Sequence, residues 1–443
     1  MMTRTQYDLV ILNPNNRTPS PLAGVEPPLW CGMFASRYRS QGLDVAIVDA
    51  EAEELTIEQT VERVGKAKNV LLMAMGQNPS ASSTPKMDVV IELAKRLKNV
   101  NIAGLHPSAL PERTGEETGV GVITGIPFTV LYPMAWDLLP MDRYIAHNWH
   151  CLDGSPRQPY ASIYTSLGCP HHCIYCPIHA FYGSHDVKYR DVHDVIAEID
   201  LLVNKYGVKN IKIMDELFAD NEKRVEVLCK LLEARKYNLN IWCYARTDTV
   251  NQRMLEMMKR AGINWVCYGF ESADPVVAGN VGKRFELAKM EEVIRWTREA
   301  RINILANFMF GLPEDSMETM QKTLDWAKSC LFEYVNFYVA MAYPGSKLYE
   351  DAIKNGTSLP ETWDAYGQYS PNAKPLPTKY LTPQEVLGFR DRAFMEYFLN
   401  PAYTNKITNK WGRQAADHIG RLLQWRLERH TTGLNIPKLI SHT

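Results

Sequence analysis

From Asp8 onward, short apolar runs rich in β-branched residues alternate with longer stretches whose apolar residues recur at helical spacing, so strands and helices are laid down in turn. The runs DLVIL, DVAIV, NVLLMAM, NIAG and VGVIT predict strands, and helices are predicted near Leu29 to Ser40, from Thr56 and from Met87. This alternation predicts a doubly wound, Rossmann-like α/β domain over 1–127. The loops after its strands begin at Asn13, Asp49, Gly76 and Gly104, at the carboxyl-end crevices where this architecture binds ligands.

Between residues 128 and 159 the alternation lapses into Pro, Trp and His-containing sequence without a period, which predicts a linker. From Tyr160 it resumes as ASIYTS, NIKIM, LNIWCYA, NWVCYGF, INILANFMF and YVNFYVA, with helices around Val192 to Tyr206 and from Glu222, Gln252, Leu287 and Met317. In the first of these helices Val195, Ile196, Ile199, Leu202 and Val203 keep helical spacing, and Gly207 stands where a left-handed C-cap belongs. Six parallel units do not close an eight-stranded barrel, so 160–355 is predicted to be a partial (β/α)6 barrel with functional groups at the carboxyl ends of its strands. A mostly helical segment is expected over 356–443, opening with Trp363, Tyr366 and Tyr369 in a Pro-rich stretch and continuing as helices from Pro383 and Arg413; Trp363 to Tyr369 are expected to line a substrate pocket with the barrel interior and the domain interface. The stripe Trp326, Phe332, Tyr334 and Phe337 reads as core and interface.

Composition narrows the classes. With 49 Lys and Arg against 50 Asp and Glu the formal charge is −1, so no global field recruits nucleic acid, and no basic stripe or RNA-binding motif supports a nucleic-acid substrate. The polar start and the lack of an apolar stretch near the ~20 residues that span a bilayer predict a cytoplasmic protein without a membrane partner. Of nine cysteines, six are scattered (Cys31, Cys151, Cys229, Cys243, Cys267, Cys330), which is not the pattern of a disulfide-stapled secreted domain. A second cluster-binding set of cysteines is likewise missing, and single buried cysteines behave as small hydrophobes.

The other three, Cys169, Cys173 and Cys176, form a CxxxCxxC run in TSLGCPHHCIYCPIHAFYG after the first barrel strand. Three thiolates in one loop hold three irons of a cubane and leave the fourth iron open to a ligand. The alternative is a structural zinc completed by His171, His172 or His179, in a binding protein rather than an enzyme. The position at a strand's carboxyl end inside a large barrel speaks against it, because zinc loops usually stabilise small domains without a core.

The loop GCPHHCIYC, followed in order by MDELFADN, RTD, GFES, NFMFGLPED and YPGS, resembles the radical S-adenosylmethionine (SAM) superfamily over about Tyr160 to Leu348. The resemblance implies a [4Fe-4S] cluster on Cys169, Cys173 and Cys176, at which SAM is reductively cleaved to methionine and a radical that abstracts hydrogen from an unactivated carbon. It places Tyr175 near the cluster and adenine. Asp215 and Glu216 stand where the family has a Gly-Gly-Glu turn for the SAM ammonium; both glycines are absent, which leaves open which acid serves. Arg246 is implied for the SAM carboxylate, Glu271 and Ser272 for its polar groups, and Asn307 with Gly311 for ribose and adenine. An external electron donor such as a flavodoxin or ferredoxin is also implied.

A doubly wound domain before such a barrel resembles the cobalamin-binding subgroup, with agreement at Asn13-Pro14, PPLW, VDA, GLHPSALPE and LLPMDRY. By this resemblance cobalamin lies against the loops Asn13 to Glu26, Gly76 to Ser83 and Gly104 to Ser108. Asn13, Gly76, Gln77, Gly104, His106 and Ser108 are the candidate contacts, and Gln77 or a neighbour faces the lower side of cobalt. Two departures are the absence of any DxHxxG and the TGIP at Thr124 to Pro127, where the subgroup carries a Gly-Glu turn. His106 alone reads as a structural or ring-edge contact, and the domain without cobalamin reads as a lid or docking surface. The subgroup implies methyl transfer to an unactivated carbon or phosphorus of a small organic substrate, with radical cyclisation or rearrangement as the alternative.

Overall fold

The computed structural model describes residues 6–16, 24–65, 67–127, 131–283, 286–424 and 427–430. Part of the Asn13 to Glu26 loop, the first residues of the predicted linker and the end of the C-terminal segment lie outside them. β1 (Tyr7–Asn13) is the hub of the first sheet, with β2 (Val45–Asp49) on one side and β3 (Ala67–Ala74), β4 (Val100–Gly104) and β5 (Gly121–Ile123) on the other. All pairings are parallel, in the order β2-β1-β3-β4-β5.

Because strand side chains alternate, Leu9 and Ile11 pack with Leu29, Trp30 and Phe34 of the helix Leu29–Ser40. Val10 and Leu12 pack on the opposite face with the helices Ile57–Val64 and Met87–Arg96. The helix Ile57–Val64 begins at Thr56, whose hydroxyl accepts from Gln59 N while the Gln59 side chain returns to Thr56 N; such caps contribute about 1 kcal/mol. Two helices between β4 and β5, Leu105–Ala109 and Pro111–Thr118, escape the sequence pattern. Pro107, Pro111 and Gly115 break up their periodicity, although Pro111 sits in a first turn, where its missing N–H is harmless.

β6 (Tyr160–Ile163) opens the second sheet. β7 (Ser166–Leu167) and β8 (Lys188–Tyr189) pair antiparallel and tie off the cysteine-bearing loop between them. β9 (Asn210–Ile213), β10 (Asn240–Ala245), β11 (Ile263–Glu271), β12 (Asn303–Phe310) and β13 (Tyr334–Val339) complete a six-stranded parallel sheet in the order β13-β12-β11-β10-β9-β6. The helix Val192–Tyr206 ends at Gly207 with φ of 66°, the left-handed C-cap that favours glycine.

The chain then returns over β13 as the helix Pro383–Phe398, followed by Pro401–Trp411 and Arg413–Leu422. Arg390 Nε donates to Phe337 O (2.7 Å), Tyr397 Oη to Phe332 O (2.9 Å) and Tyr403 Oη to Glu333 O (3.0 Å). The last strand is thereby covered, which removes an exposed edge.

One sequence expectation needs correction. Trp363 and Tyr366 do not line a pocket but join the core of the N-terminal domain, where Trp363 Nε1 donates to Glu117 (2.9 Å) and the Arg113 guanidinium lies 4.1 Å from the ring centroid. Trp326, Phe332, Tyr334 and Phe337 all join the core, beside Phe270 and Phe308, and Tyr334 on β13 also borders the central cavity. Among the described residues no helix is long and apolar enough to cross a membrane.

Candidate active site between the two domains

Cys169, Cys173 and Cys176 are half-buried, whereas Cys31, Cys151, Cys229, Cys243 and Cys267 are buried. Gly168 starts their loop at φ of 99°, and a Cβ there would stand 2.2 Å from Asp186 O, so only glycine lets the loop leave β7 beside β8. Cys176 N donates to Cys173 O (3.1 Å), which folds the last two cysteines into one turn. Ser80, from the N-terminal domain, lies 3.6 Å from Cys176 Sγ, and Arg246 Nη1 lies 3.8 Å from Cys173 Sγ.

Burial pushes the Cys169 thiol up to about 12 and the Cys176 thiol to about 11, and the neighbouring cysteines add to both shifts. Such thiols become thiolates only against the positive charge of a metal or cluster, which suits a site that is charged by what it binds. Among the described residues no three His, Cys, Asp or Glu side chains are already gathered at ligand distance. Both ring nitrogens of His179 lie against backbone carbonyls, Ser184 O at 3.1 Å and His171 O at 2.9 Å. The ring that would best complete a zinc set is thus already engaged. His172 and His185 stack on each other with centroids 3.7 Å apart.

The two adjacent acids separate clearly. Asp215 is buried and accepts from Thr165 N (2.6 Å), Thr165 Oγ1 (2.5 Å) and Ser166 Oγ (2.6 Å), so it clamps β9 to the segment after β6. Glu216 accepts from Tyr182 Oη (2.6 Å) and from Gly168 N (3.2 Å), immediately before the first cysteine. Burial raises the Glu216 carboxyl to about 8, against the lowering effect of the Tyr182 hydrogen bond.

Arg246 is held by Asp248, with Nε to Oδ1 at 2.9 Å and Nη2 to Oδ2 at 2.8 Å. Tyr175 Oη donates to Glu271 Oε1 (3.1 Å), which also pairs with Lys283 Nζ (2.6 Å). Ser272 turns away, to Thr323 Oγ1 at 3.2 Å. Asn307 Nδ2 lies 3.1 Å from Cys267 Sγ and Asn307 Oδ1 accepts from Asn336 Nδ2 (3.0 Å), inside the barrel. Gly311 makes the turn after β12 and packs under Val386.

A cavity of about 260 Å³ lies among the N-terminal domain, the barrel interior and the segment Gly367 to Ser370. A neighbouring one of about 30 Å³ reaches between β1, β3 and β6. Of the six residues read from the sequence as cobalamin contacts, the structure brings Asn13, Gly76 and Gln77 to these spaces. It does not bring Gly104, His106 or Ser108. Gly104, at φ of 137°, backs onto Ala74 O; His106 is buried against Thr84 and the edge of Trp363; Ser108 Oγ donates to Gly104 O. The C-terminal segment covers that end of the sheet.

The cavity also holds groups that the sequence reading missed. Lys86 Nζ reaches Glu51 Oε2 (2.8 Å) and Asn13 Oδ1 (3.0 Å), and Gln77 Nε2 donates to Glu51 Oε1 (3.2 Å). At the barrel floor Lys212 Nζ meets both Glu26 oxygens, at 2.8 and 3.0 Å, and His147 Nε2 lies 2.7 Å from Glu26 Oε1. Desolvation opposes the Glu26 charge, but Lys212 and His147 outweigh it and hold the carboxyl down at about 2. The available signal was a lone lysine inside the apolar strand NIKIM, and inward polar positions Tyr334, Asn336 and Tyr338 alternating with Val335, Phe337 and Val339.

An open six-stranded barrel with CxxxCxxC at its mouth defines a class, and residues 163–327 match the radical SAM superfamily. The matched part of the barrel is a radical SAM domain, which supports an enzyme over a zinc-binding structural module. Over 89% of the chain and 92% of the relative, it is 26% identical to an uncharacterized methyltransferase of Pyrococcus horikoshii. Its fold is that of the radical SAM methyltransferase TsrM of Kitasatospora setae, solved with cobalamin and a 4Fe–4S cluster (TM-score 0.61, 15% identity, 80% of this chain and 75% of that one). It is also that of the cobalamin-dependent radical SAM enzyme OxsB, solved with aqua-cobalamin (TM-score 0.63, 14% identity, 94% and 72%).

Proposed function

We propose that this chain is a cobalamin-dependent radical SAM methyltransferase acting on a small organic molecule. The observation that carries the reading is the juxtaposition of Ser80, on a loop at the carboxyl end of the first sheet, with Cys176, at the mouth of the barrel, beside the large cavity. A corrin against the N-terminal domain and a cluster on the cysteine loop would then face one reaction space. The relative with 89% coverage, itself named a methyltransferase, supports methyl transfer over cyclisation or rearrangement.

When bound, the cluster, SAM and cobalamin supply the electron, the radical and the methyl relay. Cys169, Cys173 and Cys176 hold the cluster. Glu216, rather than the fully engaged Asp215, accepts from the SAM ammonium, and its raised pKa falls once that cation arrives. Arg246 meets the SAM carboxylate, with Asp248 fixing its plane. Glu271, held by Tyr175 and Lys283, meets the ribose side, and Asn307 with Gly311 borders the adenine. Asn13, Gly76 and Gln77 would hold the corrin. The aromatic walls keep water from the reacting centre. The cytoplasm, a small-molecule substrate and a flavodoxin- or ferredoxin-type donor complete the reading.

The test is anaerobic purification with iron, sulfide and hydroxocobalamin, followed by metal analysis, an absorption spectrum and SAM-cleavage assays. About four irons per chain, corrin bands and cleavage support the reading; iron without corrin removes methyl transfer, and zinc alone removes the radical chemistry. Cys169→Ala, Cys173→Ala and Cys176→Ala are each expected to abolish cleavage with the circular dichroism spectrum unchanged. Retained cleavage in all three overturns the cluster assignment.

A further inference from the structure

The polar groups on the cavity wall carry information about what it binds. Among the described residues every charged side chain lining the cavity is already ion-paired or hydrogen-bonded within the protein, and no cation is left free. Glu26 pairs with Lys212, Glu51 pairs with Lys86 (both 2.8 Å), and Asp364 accepts from Thr362, Ser370 and Asn372. Among the described residues no arginine lines it. A phosphate or a set of carboxylates would enter without a free cation to meet it, and an unpaired buried charge is costly.

Three neutral groups are left over instead. The Trp242 indole N–H, the Tyr334 hydroxyl and the Gln368 amide oxygen all belong to lining residues, are buried and have no hydrogen-bond partner. Buried polar atoms are ordinarily paired, so an unpaired acceptor and hydroxyl on one wall point to groups that a ligand supplies. Around them stand the rings of Trp242, Tyr244, Tyr338, Tyr343 and Tyr369. Rings present apolar area and a quadrupole that another ring matches by offset or edge-on stacking. Tyr334, Tyr338 and Tyr244 belong to the barrel strands and Gln368 and Tyr369 to the C-terminal segment, so this wall is opposite the N-terminal domain and distinct from the residues assigned to the corrin.

We infer that the substrate bound here is an uncharged aromatic molecule of one or two rings, with an N–H or O–H donor for Gln368 and an edge acceptor or donor for Tyr334. The inference rests on the function proposed above and narrows it to a substrate class. It excludes phosphorylated and polycarboxylated substrates.

The test is anaerobic calorimetry on the holoenzyme reconstituted with iron, sulfide, cobalamin and SAM. Quinolin-2-one is the neutral aromatic probe, 1-naphthyl phosphate the charged one and methyl glucoside the neutral non-aromatic one. Quinolin-2-one is expected to bind saturably, and each of the other two at least ~10-fold more weakly, because burying an unpaired charge or leaving the rings unmatched each forfeits more than one hydrogen bond's worth. Tyr334→Phe keeps the ring, removes a hydroxyl with no partner in the protein, and is expected to weaken quinolin-2-one about 5-fold with the melting temperature unchanged or raised. Equal or tighter binding of the phosphate or the glucoside, no saturable quinolin-2-one binding, or unchanged affinity in Tyr334→Phe overturns the inference. SAM cleavage on the same sample separates the two readings: cleavage without probe binding overturns only the substrate class, and probe binding without cleavage overturns only the radical chemistry.

Discussion

His106 is a neutral ring held where a proton has no place to go. Its Nδ1 lies 3.2 Å from Thr84 Oγ1, its edge meets Trp363 with centroids 4.5 Å apart, and it is fully buried. Burial, reinforced by Arg113, lowers its pKa to about 3. The folded protein therefore declines a proton that the unfolded chain accepts near the ordinary histidine value of about 6.5. The resulting stability is complete above that value and is lost as pH falls toward the folded pKa. Between about pH 7.5 and 5 the loss is on the order of 2 kcal/mol. Denaturant melts of wild type and His106→Phe across that window are expected to converge as pH falls; curves that stay parallel would mean that His106 does not carry the effect. At this scale legibility followed sequence distance. The cysteines stand within one loop and were readable from spacing, whereas Lys212 and Glu26 lie 186 residues apart and only the folded chain joins them.

Strands and long helices were legible because each carries its own period, and short elements were not. The helices Leu105–Ala109 and Pro111–Thr118 have too few turns for a pattern, and Pro383–Phe398 showed its pattern but not what it covers. That last helix meets the barrel at Gly311, where φ is 79° and a Cβ would stand 2.4 Å from Val386 Cγ1. Asp315 Oδ2 accepts from Gly311 N and Leu312 N, both at 3.0 Å, and holds the turn in that conformation. Gly311→Ala adds left-handed backbone strain of about 1–2 kcal/mol and overpacking of about 1–3 kcal/mol. A total loss of roughly 2–5 kcal/mol is expected in chemical denaturation. Adding Val386→Ala to Gly311→Ala relieves the clash but not the strain, so the double variant is expected to recover part of the loss after its own cavity cost is subtracted through the single Val386→Ala. A double-mutant cycle without coupling would show that the helix is not seated on this glycine.

The whole molecule depends on how its two domains are held together, because the reaction space lies between them. Glu26, before the first helix, and Lys212, on β9, form a buried ion pair across that boundary, with side-chain exposures of 2% and 3%. His147 and Tyr160 bring further hydrogen bonds to the same carboxylate, and the main chains bridge at Val25 and Ile145. Removing one partner leaves a desolvated charge, so Lys212→Met is expected to cost about 3–5 kcal/mol. Replacing both, as Lys212→Met with Glu26→Gln, leaves no bare charge and is expected to cost clearly less. Guanidinium unfolding followed by tryptophan emission measures the stability, and limited proteolysis between 131 and 159 measures whether the domains come apart. If the pair docks the domains, Lys212→Met raises cleavage in that segment as well as lowering the unfolding midpoint, and the double variant reverses both. If stability falls while cleavage is unchanged, the pair supports only the barrel floor and the sheets are held by apolar packing alone. Lys212 also lies 4.8 Å from the Trp242 centroid. Loss of its charge therefore disturbs the substrate wall even in a docked molecule, and the cleavage readout is what tells the two roles apart.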